Sequence, residues 1–580
     1  MPNRAPLVFA MLLPTAAGLP APAAPARDPL DPRGRIHIPI GIPDTVDPLK
    51  TFVEAEGCFS PGCGSYGIYF WAFDPDSRVL VAPTQDGVAC EYGLTPEGYL
   101  IPWSRWSAGG VTITTSVCEV ARPSPAGEVF AVGAKASLAN PGASAKRISL
   151  PDPRWAQALA AILGHAAMAM NEGAPDVAVV NYNVFNRDGV YVANILQKSG
   201  RLDLAEKAID YFLAHPFNGR VQVEADNPGQ ILWAMGEHWL LGRDPAWLDR
   251  VYPAAAKLAA MIRYCRTTPP PHWVQAESLA FGDALPPDAP DAKPALKKQI
   301  LKPGACDGFN PNYTEAFDVA GLRAAALLAK AAGKSDDARA WERLADSLWE
   351  AYDRRFGAAL PDGYGSYAVL WPCRLYPLEG GKGVDAFKRV GAQQPANWRY
   401  FPLATAHQGL LAGNRDAAWM TLESHLAHEQ MRGWYAFDEG GKSGAGGWRH
   451  LRTTWNGGVA MPHGWAIAEM WLLLRDALAF EDGGRLVLLP GVPPDWFRKE
   501  MAIGNLPTYF GPLGLAYQAA GDTATLSLTG RAAPPAGFVL RLPRGLKARV
   551  AADGKEVPVS ETGDAALPAG TTEAKIAFAG

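Results

Sequence analysis

The sequence predicts a multidomain α+β protein: an (α/α)6 toroid flanked by an N-terminal β-sandwich and a smaller C-terminal β-sandwich. Three observations predict it. The hydrophobic period switches from alternating to helical near Pro151-Asp-Pro153, and back near Glu481-Asp-Gly-Gly484. The helical stretch between is joined by short connections, which force neighbouring helices antiparallel. The chain has 580 residues, 48% apolar and 19% charged, enough for several domains and too apolar for wholesale disorder.

In chain order, residues 1–26 read as a secretory signal. Arg4 precedes the apolar run Ala5 to Leu19, and Ala21-Pro22-Ala23 supplies small residues for cleavage. The expected location is periplasmic or secreted. Residues 36–150 carry strand patterns. Ile68 to Phe73 stops at the turn Asp74-Pro75-Asp76, and Val111, Ile113, Thr115 and Val117 alternate after Gly109-Gly110. Residues 151–480 read as eleven or twelve helical segments. Trp341, Leu344, Ala345, Leu348, Trp349 and Tyr352 form one apolar stripe. Gly200 is followed by Asp203, Gly242 by Asp244, Gly333 by Ser335 and Gly413 by Asp416, each a C-terminal glycine with a capping side chain just beyond it. Repeated αα-hairpins without a fixed sequence period close into a ring rather than an open solenoid. One connection, between about Arg266 and Tyr313, is long, and its Trp273, Phe281 and Phe309 suggest a packed loop walling a cleft. Residues 481–580 return to strands, with Asp553-Gly554 as a hairpin turn.

Charge and composition exclude several functions. With 54 basic and 58 acidic residues, the net charge of −4 gives no footprint for nucleic acid and no polybasic membrane anchor. Past the N-terminus, no run is long and apolar enough to span a bilayer. The seven cysteines contain no CxxC and read as mostly free thiols with at most one or two bridges. No cofactor and no metal is expected: the histidines do not cluster as ligands, and His425 and His428 read as part of a solvated face. The 19 Trp fit either a large core or a cleft in which flat rings stack on sugars.

Chemistry is expected where loops meet helix starts. Asn310-Pro-Asn-Tyr-Thr-Glu315-Ala-Phe317 enters a helix, where Glu315 either reacts or merely complements the helix dipole. Trp434-Tyr-Ala-Phe-Asp438-Glu439-Gly-Gly441 sets two acids among aromatics and glycines, ahead of Trp448, Trp455 and Met461-Pro-His-Gly-Trp465. Tyr182-Asn-Val-Phe-Asn-Arg187-Asp188-Gly-Val-Tyr191 offers donors and acceptors suited to sugar hydroxyls, or a local ion pair. Glu224-Ala-Asp226-Asn-Pro228 opens another helix and reads as structural, with Asp226 as its cap.

These motifs resemble the six-hairpin glycosidase superfamily, nearest to bacterial glucoamylase-type glycoside hydrolases. The Arg187-Asp188 segment is similar to their aromatic-rich Arg-Asp motif, and Pro228-Gly-Gln-Ile-Leu-Trp-Ala to their Gly-Gln-x-Leu-Trp-Ala helix. Thr314 and Phe185-Asn186 depart from the family's Trp and Trp-Pro, which puts glucose specificity in question. The resemblance implies an exo-acting, inverting glycoside hydrolase acting on a carbohydrate. It implies Glu315 as general acid and Glu439 as general base, with Arg187, Asp188, Tyr182, Trp434, Trp448 and Trp455 binding sugar. Glu277 and Asp307 are rival acids, and Asp438 is the rival base. A disaccharide phosphorylase on the same scaffold, a polysaccharide lyase and a non-catalytic carbohydrate-binding protein are the alternatives. Turnover that requires phosphate, an unsaturated product absorbing in the ultraviolet, or binding without turnover would mark each in turn.

Overall fold

The computed structural model describes residues 30–579, less 35, 63–64, 75–77, 96–99, 109–110, 125–126, 134–147, 181, 183, 217–224, 268–271, 274–299, 302–309 and 441–458. The signal segment, Trp448 and Trp455 therefore lie outside the described residues, as do Glu277 and Asp307.

The chain is mixed α+β. Its helices are α1 (Pro153–Met168), α2 (Asn186–Ser199), α3 (Leu202–Ala214), α4 (Asn227–Gly242), α5 (Pro245–Thr267), α6 (Pro311–Ala331), α7 (Ser335–Phe356), α8 (Lys382–Phe387), α9 (Tyr400–Leu411), α10 (Arg415–Leu426), α11 (Met431–Trp434) and α12 (Gly464–Leu478). A 3₁₀ turn at Tyr364–Ala368 lies between α7 and α8. Contacts run around a closed circuit. Helix α2 packs on α4, α4 on α6, α6 on the 3₁₀ turn, that turn on α9, α9 on α12, and α12 back on α2. Outside the circuit, α1 lies on α12 and α2, α3 on α2 and α4, and α5 on α4 and α6. Helix α7 lies on α6, α8 on α9, and α10 on α9 and α12. Outer and inner elements thus alternate along the chain.

Sequence composition sorts the two layers. Every residue of α2 and of α12 is buried, as a helix surrounded by neighbours requires. Helix α7 buries only Ala338, Ala345 and Tyr352, spaced by seven, and keeps a wet outer face. Its Asp336 and Asp337 stand in the first turn and Arg354 and Arg355 in the last, complementing the dipole. Helices α4 and α6 touch through glycine. A Cβ on Gly229 would lie 2.5 Å from the Phe317 carbonyl oxygen, and one on Gly321 would lie 2.6 Å from that of Gly229.

The short joints carry three of the four expected glycines at left-handed φ, Gly200 (84°), Gly333 (70°) and Gly413 (83°), while after α4 it is Arg243 (54°), not Gly242, that takes this conformation. The caps differ from expectation. Asn414, not Asp416, accepts from the Ala417 N–H (3.1 Å), and Asp203 pairs with Arg201 instead of capping α3. In both cases the helix starts earlier than expected, leaving the aspartate inside its first turn. Asp244 does accept from the Ala246 N–H (2.9 Å).

The described N-terminal strands form four hydrogen-bonded sheets of three, two, three and two strands. C-terminal to α12, a four-stranded sheet (Ala479–Asp482, Arg485–Leu488, Phe538–Arg541, Asp564–Leu567) accompanies a seven-stranded one. The edge of the larger sheet is Ile148–Ser149, which pairs with Ile503 and Ala502. The segment just before α1 thus belongs with the last strands of the chain. Asp553 and Gly554 both have positive φ (45° and 81°) and join Ala548–Ala552 to Lys555–Val557, as the hairpin reading required.

One apolar core runs from the helices into the C-terminal sheets, where Trp155 meets Trp496 at 4.9 Å between ring centroids. A smaller core joins Ile38, Ile40, Val53 and Val117 of the N-terminal strands to Trp434, Val459 and Met461. Cys58, Cys90 and Cys373 are free thiols. Among the described residues, no helix is long and apolar enough to cross a membrane, and no cluster of His, Cys, Asp or Glu could hold a metal.

Candidate active site

The first residues of the inner elements converge at one end of the circuit. Glu439 arrives on an extended segment. Its N–H donates to the Ala460 carbonyl (3.2 Å), and the His463 N–H donates to the Phe437 carbonyl (2.7 Å). Neighbouring side chains on extended backbone point to opposite sides, so only one of two adjacent acids can face the centre. Glu439 does so: the Tyr182 hydroxyl donates to its Oε1 at 2.8 Å. Asp438 turns away to the Arg399 guanidinium at 3.4 Å. The bend after Glu439 requires Gly440, whose φ is +98° and whose Cβ, if present, would stand 2.6 Å from the Trp398 nitrogen.

His463 lies between two carboxylates. Its Nε2 is 3.9 Å from Glu439 Oε1 and 3.5 Å from Asp188 Oδ1. The other ring nitrogen, Nδ1, accepts from the Ala466 N–H at 3.3 Å and caps α12. Asp188 belongs to the first turn of α2. Next to it, Arg187 Nη1 pairs with Asp226 Oδ2 at 3.4 Å. Asp226 does occupy the cap position of α4, but its side chain makes no cap bond there, which corrects its reading as a helix cap. Buried carboxylates are tolerated here because helix N-termini present unsatisfied N–H groups and positive dipole ends.

Aromatic rings line the same end. Trp465 stacks between Tyr400 (4.3 Å between centroids, 10° between planes) and Tyr191 (5.2 Å, 15°). Tyr400 also stacks on the His463 ring (5.4 Å). The Tyr313 hydroxyl lies 3.3 Å from that of Tyr191 and accepts from Gln230 Nε2 at 3.3 Å. Burial pushes the Tyr191 and Tyr313 hydroxyls well above the usual tyrosine range, so both stay neutral.

The structure brings Tyr182, Asp188 and Glu439 together, with Arg187 beside them. It does not bring Glu315. In an α-helix, residues two apart point about 200° from one another. Tyr313 faces the centre, so Glu315 faces the outer layer, where Arg355 of α7 pairs with it at 3.1 Å. Glu315, expected as the acid, thus stands in a helix–helix ion pair rather than beside Glu439. Trp434, expected to bind sugar, is fully buried and packs edge-on against Tyr92 (5.1 Å) in the smaller core. His425 is buried rather than solvated, and burial lowers its pKa to about 4. The sequence reading missed the placement of His463 and the Trp465 stack. The signal was present in Met461-Pro-His-Gly-Trp465, as a histidine at a helix start.

No protein-family model matches the chain, and no curated protein matches it. Among solved structures it is similar to the α-L-rhamnosidase of Dictyoglumus thermophilum, with 10% identity, 75% of this chain and 50% of that chain covered, and a TM-score of 0.44. It is also similar to the GH78 family rhamnosidase of Bacillus sp. GL1, with 14% identity, 79% and 51% covered, and a TM-score of 0.43. A third similar structure is a wild-type glycosidase, with 14% identity, 56% and 96% covered, and a TM-score of 0.37. The chain spans about half the length of the two rhamnosidases.

Proposed function

We propose that the protein is a glycoside hydrolase whose active site lies at the N-terminal ends of the six inner elements of an (α/α)6 toroid. The observation that carries this reading is the buried Glu439 carboxylate, held by Tyr182 at 2.8 Å and approached by His463, next to Asp188 and the Trp465 stack. Hydrolysis of a glycosidic bond needs a proton donor at the leaving oxygen and a second carboxylate. Glu439 is the second carboxylate and acts as the base on water. In the inverting, exo-acting reaction that the sequence resemblance implies, a water stands between Glu439 and the anomeric carbon. Arg187 and Asp188 bind the terminal sugar, with Trp448 and Trp455 as candidate stacking rings. The proton donor comes from the long connection. Its two ends pair as a short ladder, His272 with Leu301 and Trp273 with Ile300, and it runs directly into α6, whose Tyr313 borders the site. Asp307 is six residues from Tyr313, and Glu277 lies within the same connection. The charged, apolar and small-residue order of residues 1–26 supports export to the periplasm or beyond.

A panel of aryl glycosides and oligosaccharides with reducing-sugar readout tests the activity. Glu439→Gln is expected to lower kcat by about 10²–10⁴-fold while leaving the circular dichroism unchanged. Wild-type turnover in that variant would remove Glu439 from the reaction.

A further inference from the structure

His463 is held by two sets of contacts, one on each ring nitrogen. The Nδ1 lone pair caps α12 by accepting from the Ala466 N–H at 3.3 Å. An imidazole nitrogen that accepts carries no proton, so the neutral ring bears its proton on Nε2. That Nε2 is the atom facing Asp188 Oδ1 (3.5 Å, from α2) and Glu439 Oε1 (3.9 Å, from the extended segment). The ring plane is fixed as well. Tyr400 of α9 stacks on one face at 5.4 Å, and Tyr182 meets the ring edge-on at 5.7 Å. The side chain is only 1% exposed, so solvent does not compete for either nitrogen. The groups facing it include two carboxylates, two phenols and one backbone N–H.

We propose that His463 is a positioning residue. By capping α12 through Nδ1 it is locked as the Nε2–H tautomer, and that edge of the ring spaces the Glu439 carboxylate from Asp188. The inference rests on the reading of Glu439 as the base. Doubly protonated, the ring would turn a second N–H against that of Ala466 and lose the cap, so the helix opposes the charged form. At 3.9 Å the Nε2–H is beyond hydrogen-bond reach of Glu439, but its positive end favours the ionised carboxylate through space, the form in which a base accepts a proton from water.

Two variants separate the cap from the positioning role. Asparagine is a good N-cap and keeps an acceptor near the Ala466 N–H, but it cannot reach the two carboxylates. His463→Asn is expected to keep the wild-type melting temperature and KM. It should lower kcat by up to ~100-fold, as a misplaced reacting group does, and shift the acid limb of kcat/KM to higher pH. His463→Ala should lose the melting temperature as well. Wild-type kcat and an unshifted acid limb in His463→Asn would overturn the proposal. The tautomer is read independently of turnover, by long-range proton–nitrogen NMR of histidine-labelled protein, with the His463 signal assigned by its absence from His463→Asn. An Nε2–H ring is expected. An Nδ1–H or doubly protonated ring at pH 7 overturns the proposal even if the wild type cleaves glycosides. A wild type that cleaves none while showing the Nε2–H ring overturns the glycosidase reading alone.

Discussion

The two ends of the helical circuit both bury charge, and they handle it differently. At the N-terminal end, Glu439 meets a phenol and an imidazole, and Asp188 meets the same imidazole. At the opposite end, carboxylates are interleaved with strong cations. Lys198 of α2 lies 3.3 Å from Glu481 and 3.6 Å from Glu237 of α4. Arg475 of α12 holds Glu481 at 2.6 Å and Asp476 at 2.9 Å. His407 of α9 bonds Asp476 at 3.1 Å and approaches Glu469 at 3.7 Å. Glu481 begins the C-terminal sheets, and Tyr509 from the same region donates to Glu237. The second end is therefore a closed ionic plug shared by helices and sandwich. Burying charge is tolerable where partners are complete, and leaving one partner uncompensated is costly. The first end sets Glu439 and Asp188 against a phenol and an imidazole beside the Arg187–Asp226 pair, while the second interleaves its carboxylates with Lys198 and Arg475. Position along the inner elements thus decides which kind of partner a buried carboxylate meets.

The comparison breaks most visibly at Arg475. Arg475→Met leaves Glu481 and Asp476 buried beside one fewer cation, and is expected to cost about 3–5 kcal/mol in urea unfolding. A loss below about 1 kcal/mol would show that the plug is not structural. Acidity sharpens the contrast next. Burial alone would raise the Glu481 carboxyl, but Arg475 and Lys198 outweigh it and hold the pKa at about 2, against an ordinary 4.5. A depressed carboxylate contributes stability that is fully present above its unfolded pKa. The plug should therefore weaken as pH falls from about 4.5 toward 2. Burial likewise opposes protonation of His407, yet its bonds to Asp476 and Glu469 raise its pKa above 6.5. Its contribution is present below pH 6.5 and lost as pH rises through the folded value. The stability gap between wild type and His407→Gln should shrink at alkaline pH, and a gap independent of pH would contradict this.

Smaller effects test Trp434 and Glu315. Trp434→Phe removes part of a buried ring and should destabilise by about 1–2 kcal/mol while leaving KM unchanged. A KM rise with unaltered stability would return Trp434 to the sugar wall. Glu315→Gln breaks a half-exposed pair and should cost no more than about 1 kcal/mol, with kcat unchanged. A collapse of kcat would restore Glu315 as the acid.

Much of the layout was legible in the sequence. The period changes at Pro151 and Glu481 mark where helices begin and end, and the glycine joints turn the chain back on itself. The segment around Glu439 stood out because two acids lie among aromatics and glycines. The sequence by itself thus determined the order of the elements and the neighbourhood of one carboxylate, since both are local properties of spacing and turn chemistry. The direction of each inner helix face was decided only by the tertiary structure. An outer helix such as α7 shows its orientation in its apolar stripe, but α2 and α12 are buried all round and α6 buries Thr314, Ala316 and Asp318 as well as Tyr313. Where every face is covered, hydropathy carries no phase, and only packing against neighbours fixes which side chains meet. That is why Glu315 turned outward, Asp226 left its cap for Arg187, and His463 came to lie between two acids that are 251 positions apart in sequence (439 − 188).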